Sequence, residues 1–106
     1  MDLFERNDRI GGQFRLAMQI PGKEEFRETI RYFANRIDET GVKLHLDTEA
    51  NYDLLSEYDE VVMASGVEPR KVSIDGIENQ NKVVDYQTLI RDKTYVGENV
   101  AIVGAG

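Results

Sequence analysis

The alternation of apolar and polar residues along the chain predicts an α/β fold. Residues 23–40 carry the clearest helical pattern, because apolar side chains recur there at three- and four-residue spacing and form one stripe: Phe26, Ile30, Phe33, Ala34 and Ile37. Gly41 stands where a residue just past the helix end is expected. In residues 42–47 the pattern changes to strict alternation, which predicts a half-buried strand with Val42, Leu44 and Leu46 on one face.

Shorter elements are predicted on both sides of this helix and strand. Residues 2–5 have the pattern of a strand that ends in an acid, and residues 9–19 open on a glycine pair and continue as a short helix. Residues 60–64 (EVVMA) are almost continuously apolar, as in a strand buried on both faces of a parallel sheet. We expect helical turns at 52–57 and 86–91, a connection at 67–82, and further strands at 82–85 and 99–103. Alternating strands and helices are typical of an α/β fold.

Composition and charge narrow the classes of function. The chain has 106 residues, enough for one small domain, and a formal charge of −7. That charge argues against nucleic acid and anionic membranes as partners, but not against a phosphate-bearing cofactor held by backbone amides. There is no cysteine, and therefore no disulfide or Cys-ligated metal. No apolar run approaches the ~20 residues that span a bilayer, and the start does not resemble a signal peptide. These features favour a cytoplasmic protein.

Two short motifs near the start are candidates for cofactor binding. Glu5 follows the strand-like Leu3 and Phe4, and an acid at the end of the second strand of a Rossmann fold accepts hydrogen bonds from a ribose. A solvated acid at a strand end is the alternative. Gly11 and Gly12 precede Gln13, and adjacent glycines leave room for a ring or a phosphate. A turn that opens a helix explains the pair equally well.

Two further motifs lie in the second half of the chain. VVMASGVEPR at 61–70 places the small residues Ala64, Ser65 and Gly66 at the carboxyl end of the predicted strand, where open α/β sheets bind ligands. VAIVGAG at 100–106 begins a G-x-G phosphate loop without its third glycine. The single histidine, His45, has no evident partner, so we interpret it as structural. No residue is a convincing acid–base catalyst, and no metal site is predicted.

Taken in order, these motifs resemble a known family of flavoenzymes. LFE at 3–5, IGGQFRLAMQIPGKEEF at 10–26, ASG at 64–66 and VAIVGAG at 100–106 are similar to the C-terminal half of the bacterial NADPH-dependent 2,4-dienoyl-CoA reductases. These reductases belong with trimethylamine dehydrogenase to the NADH:flavin oxidoreductases. The resemblance implies a barrel with FMN and an iron–sulfur cluster, followed by FAD and NAD(P)H domains. Electrons in such enzymes pass from NAD(P)H through FAD, the cluster and FMN to the substrate.

The resemblance also implies roles for individual residues. Glu5 would bind the ribose of FAD, Gly12 and Gln13 would lie near its diphosphate, and Ala64, Ser65 and Gly66 would face it. Lys23 is a weaker candidate beside the same site. Gly104 and Gly106 would open the NAD(P)H phosphate loop. On this basis residues 1–85 are a partial FAD-binding domain. Residues 86–106 are the connection to, and the first strand of, the NAD(P)H-binding domain.

The resemblance further implies an excised, inactive fragment that binds no cofactor by itself and whose main partner is the remainder of the parent flavoenzyme. Such a fragment is a Rossmann-like three-layer fold without its first FAD-binding strand. We expect Val100–Val103 to fill that position in a mostly parallel sheet, from the same chain or by strand swapping in a homodimer. Two alternatives stay open. One is another two-dinucleotide flavoprotein, such as a relative of the glutamate synthase small subunit or of ferredoxin reductase. The other is a non-catalytic α/β binding module.

Overall fold

The computed structural model describes residues 1–70, 72–78 and 81–104. The chain divides into two compact units, Met1–Glu68 and Pro69–Gly106. The first unit contains five elements: β1 (Asp2–Phe4), α1 (Phe14–Ala17), α2 (Phe26–Glu39), β2 (Lys43–His45) and α3 (Tyr52–Leu55). In the described part of the second unit the regular element is α4 (Tyr86–Asp92). This order confirms the predicted α/β class.

Strands β1 and β2 form a parallel pair in which Leu3 is opposite Leu44. Parallel strands need a crossover connection, and α1 and α2 supply it, so β1, the two helices and β2 form one βαβ unit. The pairing continues past the strand ends, because the amide of Glu5 donates to the carbonyl of His45 at 2.9 Å. The strands predicted at 2–5 and 42–47 are therefore confirmed, each shorter than expected. A parallel βαβ unit is the building block of a Rossmann-like sheet.

Helix α2 ends where the sequence predicts it to end. Gly41 has φ of +68°, its amide donates to Asp38, and the amide of Val42 donates to Ile37. These two bonds form a Schellman motif, which a left-handed glycine completes without the strain that a side chain would bring. Among the described residues no helix is both long and apolar enough to cross a membrane.

The apolar stripe of α2 is only partly covered. Phe26, Ile30 and Ile37 are half-buried, whereas Phe33 is 55% exposed and Ala34 is also exposed. Helix α1 covers the first turn of α2, where the rings of Phe14 and Phe26 meet edge to face with centroids 5.0 Å apart. At its first turns the stripe is thus covered by α1 and by Gly11, which lies against Ile30.

Helix α4 begins at a well-formed cap. The carboxylate of Asp85 accepts hydrogen bonds from the amide and the hydroxyl of Thr88, at 2.9 and 2.6 Å. These bonds satisfy a free amide of the first turn and hold the pKa of Asp85 below its ordinary value. Lys93, with φ of +51°, ends the helix.

Three predicted strands are wrong in this structure. Residues 60–64, 82–85 and 99–103 lie outside any strand, and Val62 and Ile102 are 89% and 81% exposed. An apolar run becomes a strand only when a neighbour accepts its backbone hydrogen bonds, and the sheet of the described residues consists of β1 and β2 alone. At the end of residues 82–85, Asp85 is the N-cap of α4 instead of a strand residue. The expectation that Val100–Val103 fills a vacant position in the sheet of this chain is therefore also wrong.

Candidate functional site

The glycine pair forms a loop between β1 and α1, which we call the glycine loop (residues 10–13). Gly11 has φ of +112° and lies against α2, since a Cβ atom there would come within 3.0 Å of Cδ1 of Ile30. Gly12 has φ of +43°, and a Cβ atom there would meet nothing within 4 Å. One glycine therefore permits close packing on the helix, and the other leaves open space. That the pair makes room for a ligand stays a prediction.

Gln13 joins the glycine loop to a distant part of the chain. Its side-chain amide nitrogen Nε2 donates to the carbonyl of Val67 at 2.8 Å. Gln13 therefore lies beside the predicted Ala64–Gly66 motif, which is exposed and directly precedes Val67. A Cβ atom on Gly66, which has φ of +76°, would also meet nothing within 4 Å. The structure thus brings together two of the predicted cofactor-binding stretches.

Glu5 stands immediately after β1 and is half-buried as a residue, while the hydrogen bonds of its carboxylate are exposed. Its Oε1 atom accepts hydrogen bonds from the backbone amide of Asn7 at 2.9 Å and from the Asn7 side chain. The second oxygen, Oε2, has no hydrogen-bond partner in the part of the chain that the structure describes. The side chain is therefore oriented by one oxygen while the other is available, as an acid that accepts a hydrogen bond from a ribose hydroxyl requires.

Arg15 supports the glycine loop from its other side. Its Nε atom donates to the carbonyl of Ile10 at 2.6 Å in a partly buried position. The neighbouring Arg9 donates to the carboxylate of Asp8, and this hydrogen bond lowers the pKa of Asp8. The sequence did not predict this hydrogen bond of Arg15, and the position of Arg15 after the glycine pair was the one signal for it.

An apolar cleft of about 180 Å³ lies next to the loop and is lined by Gln13, Phe14, Ala17 and Phe26. Pockets for small-molecule ligands usually measure about 300–1,000 Å³. The cleft is therefore large enough for one edge of a ligand and too small to enclose a dinucleotide.

Three further residues were predicted for the site. Lys23 is exposed, and it precedes α2 rather than beginning it. Its amide donates to the carbonyl of Ile20 at 3.0 Å, within the turn that follows α1. Gly104, with φ of +85°, belongs to the second unit. Gly106 lies outside the described residues.

A second polar cluster, which the sequence did not reveal, lies on one face of the strand pair. Nε2 of His45 donates to Oδ1 of Asp2 at 2.8 Å, and the imidazole stacks on Phe4 with centroids 4.7 Å apart. The hydrogen bond from His45 holds the pKa of Asp2 below its ordinary value. Burial, and then the negative charge of Asp2, raise the pKa of Tyr58, which packs edge to face on Phe4. His45 therefore has a partner, in contrast to the expectation of an isolated ring.

No family model matches the chain. The chain is 31% identical over 110 residues to a metal reductase of Desulforamulus reducens and 29% identical over 111 residues to a cinnamate reductase of Clostridium sporogenes. Each alignment includes 98% of this chain and 16% of the relative. A solved structure of 2-naphthoyl-CoA reductase in complex with 2-naphthoyl-CoA is similar with a TM-score of 0.83 at 34% identity. That similarity covers 92% of this chain and 15% of the other. The chain therefore spans a small part of the length of the proteins that it matches.

Proposed function

Since the chain is similar over nearly its whole length to parts of larger reductases, we propose that it belongs to the C-terminal region of the old-yellow-enzyme-type flavin oxidoreductases and is the cofactor-binding segment of a larger flavin-dependent reductase. The hydrogen bond between Gln13 and Val67 carries this proposal. It holds the glycine loop, which follows β1, beside the Ala64–Gly66 motif, and a glycine-rich turn after the first strand of a βαβ unit is the usual place for a nucleotide in an α/β fold.

The proposed cofactor of the first unit is FAD, which when bound takes a hydride from NAD(P)H and passes electrons onward. The free Oε2 atom of Glu5 would accept a hydrogen bond from the ribose. The open backbone at Gly12 would lie along the diphosphate. Ala64, Ser65 and Gly66 present small side chains or none, which lets backbone approach the cofactor closely. Each of these roles fits the geometry of the residue concerned.

The proposed roles of the remaining candidates are less directly supported by geometry. Gly104 and Gly106 would begin the phosphate loop for NAD(P)H, and the positive φ of Gly104 suits such a loop. Lys23 would offer a positive charge near the cofactor from the turn before α2. No acid–base role is proposed for any residue of this chain.

We propose further that this chain is one piece of an enzyme of the dienoyl-CoA reductase type. The parent enzyme would carry an iron–sulfur cluster and FMN in a barrel outside this segment and act on an enoyl or related substrate. The chain alone would then be inactive, and its principal partner would be the rest of the enzyme. We also propose a cytoplasmic location, in keeping with the cysteine-free sequence.

The test uses the protein expressed from its complete reading frame, here called the complete protein. We expect purified complete protein to show flavin absorbance, to release FAD and FMN on denaturation, and to be bleached by NADH or NADPH under anaerobic conditions. A colourless protein without flavin would refute the proposal and favour a non-catalytic α/β module. FAD without FMN or a cluster would favour a relative of the glutamate synthase small subunit instead.

A variant tests the assigned site within the same protein. Glu5→Gln removes the charge that accepts the ribose hydroxyl, and hydrogen bonds to charged groups contribute about 1.5–3 kcal/mol. We therefore expect FAD to bind roughly 10- to 100-fold more weakly. Glu28→Gln is the matched control, because Glu28 pairs with Arg31 on the exposed side of α2. Equal FAD affinity in both variants would exclude Glu5 from the site.

A further inference from the structure

Residues 59–68 are attached to the rest of the first unit by very little hydrogen bonding. Within the described chain, no backbone–backbone hydrogen bond involves this stretch. Val62, Met63 and Val67 are 89%, 76% and 75% exposed. The hydrogen bond from Gln13 to Val67, between residues 54 apart in sequence, is the one that the structure shows for this stretch.

The backbone of Gln13 is itself firmly held. Its carbonyl accepts hydrogen bonds from the amides of Leu16 and Ala17, at 3.0 and 2.9 Å, and Gln13 caps the start of α1 without using its side chain. The side-chain amide is therefore free to reach across to Val67. A carbonyl can only accept a hydrogen bond, so the group that faces Val67 must be the donor Nε2.

We propose that Gln13 is a positioning residue, which sets the distance between the glycine loop and residues 64–67 by donating its amide hydrogen to Val67. It acts on the cofactor through this segment, and its Nε2 atom makes no contact with the cofactor. This inference rests on the proposed function where the cofactor is concerned. The link between the two stretches does not depend on it.

The variant Gln13→Glu keeps the shape of the side chain, but its carboxylate cannot donate and faces the Val67 carbonyl with a negative charge. Gln19→Glu is the matched control, because the amide of Gln19 donates within its own turn to Arg15 at 3.1 Å. Both variants have the same charge change, on neighbouring stretches of the chain. A general electrostatic effect on FAD would appear in both.

NMR relaxation of the backbone amides of the complete protein, measured without and with FAD, tests the link. In the described chain no amide of residues 62–68 is hydrogen-bonded to the backbone, so backbone mobility, rather than amide exchange, reports the loss of the bond to Val67. We expect Gln13→Glu to lower the backbone order parameters at 62–68 from the range of a rigid backbone, about 0.85, toward the flexible range below about 0.6. The order parameters at 14–18 should be unchanged, since α1 is capped by the Gln13 backbone. Unchanged order parameters at 62–68, or equal decreases at both places, would overturn the proposal.

FAD affinity and the visible circular dichroism of the bound flavin test the positioning role. We expect Gln13→Glu to weaken FAD binding by a similar factor and to alter the flavin spectrum, whereas Gln19→Glu changes neither. Lowered order parameters at 62–68 with unchanged affinity and spectrum would overturn the positioning role. If the complete protein binds no flavin, the positioning role fails together with the proposed function. The relaxation measurement without FAD then still decides whether the link exists.

Discussion

Replacing Gly11 by alanine should be among the most damaging single changes in the first unit. A φ of +112° lies well outside the left-handed region near +50 to +70° that side chains tolerate, so the backbone strain costs about 1–3 kcal/mol. The new Cβ atom would also lie 3.0 and 3.1 Å from Cδ1 and Cγ1 of Ile30. Relieving this crowding requires a shift of the flexible Ile30 side chain, which places the extra cost near 1 kcal/mol, the low end for overpacking. The sum is about 2–4 kcal/mol.

Gly12→Ala is the matched control, since it adds the same methyl group one residue later. Its φ of +43° is close to the left-handed region, and the methyl group would meet nothing within 4 Å. The expected cost is therefore about 1 kcal/mol, from backbone strain alone. Adding Ile30→Val to Gly11→Ala removes Cδ1 and should return about 1 kcal/mol, whereas it should give no such recovery with Gly12→Ala.

The assay is native-state hydrogen exchange in the complete protein, read over α1 and α2. A loss of 2–4 kcal/mol corresponds to exchange about 30- to 1,000-fold faster, against about 5-fold for Gly12→Ala. Equal acceleration in the two variants would refute the assignment of Gly11 to a strained close contact. Absence of recovery with Ile30→Val would show that the Ile30 contact contributes nothing to the cost.

Two further predictions concern groups with shifted pKa values. Asp85→Ala should increase hydrogen exchange at the Thr88 amide, whereas Asp85→Asn should largely retain its protection. The folded pKa of Asp85 is lowered, so the cap is fully effective above the ordinary value of 3.8. It is lost as the pH falls through the folded pKa. An NMR titration of the Asp85 carboxyl together with the Thr88 amide measures this, and a midpoint at or above 3.8 would contradict it. In the polar cluster on the strand pair, His45→Ala should raise the pKa of Asp2 toward 3.8. Asp2→Asn should lower the pKa of Tyr58 only part of the way to its ordinary value, because burial is the larger cause of the Tyr58 shift. Carboxyl and tyrosine ring NMR shifts followed with pH report both values, and an unchanged Asp2 pKa in His45→Ala would exclude the hydrogen bond.

Local patterns in the sequence were sufficient for the elements whose stability is local. Helix α2 could be predicted because the spacing of its apolar residues and the glycine at its end, Gly41, act within a few residues. Even there, Phe33 was expected to be covered and is 55% exposed, because periodicity identifies an apolar face without showing how much of it a neighbour covers. Residues 60–64 failed for a related reason, since strand formation depends on a partner that no local pattern specifies.

The same distinction between local patterns and long-range contacts applies to the candidate site. The order of motifs predicts Glu5, the glycine pair and the 64–66 stretch as site residues, because nucleotide sites in α/β folds use acids and small residues of these kinds. The contacts that hold them in place could not be predicted. They join residues by single hydrogen bonds, as Gln13 to Val67 and His45 to Asp2, and carry no repeating pattern.

The glycine loop is therefore the point through which the parts of the proposed site are connected. Gly11 packs on Ile30 of α2, Arg15 donates to the Ile10 carbonyl, and Gln13 donates to Val67. Gly11 and Gln13 make different contacts, so their effects should separate: Gly11→Ala should accelerate amide exchange in α1 and α2, whereas Gln13→Glu should lower the order parameters of residues 62–68. If the two contacts are independent, a double variant should show each effect at the size that it has in the single variant. Strong coupling would mean that the loop moves as one body, and that Gly11 also controls where residues 64–67 lie.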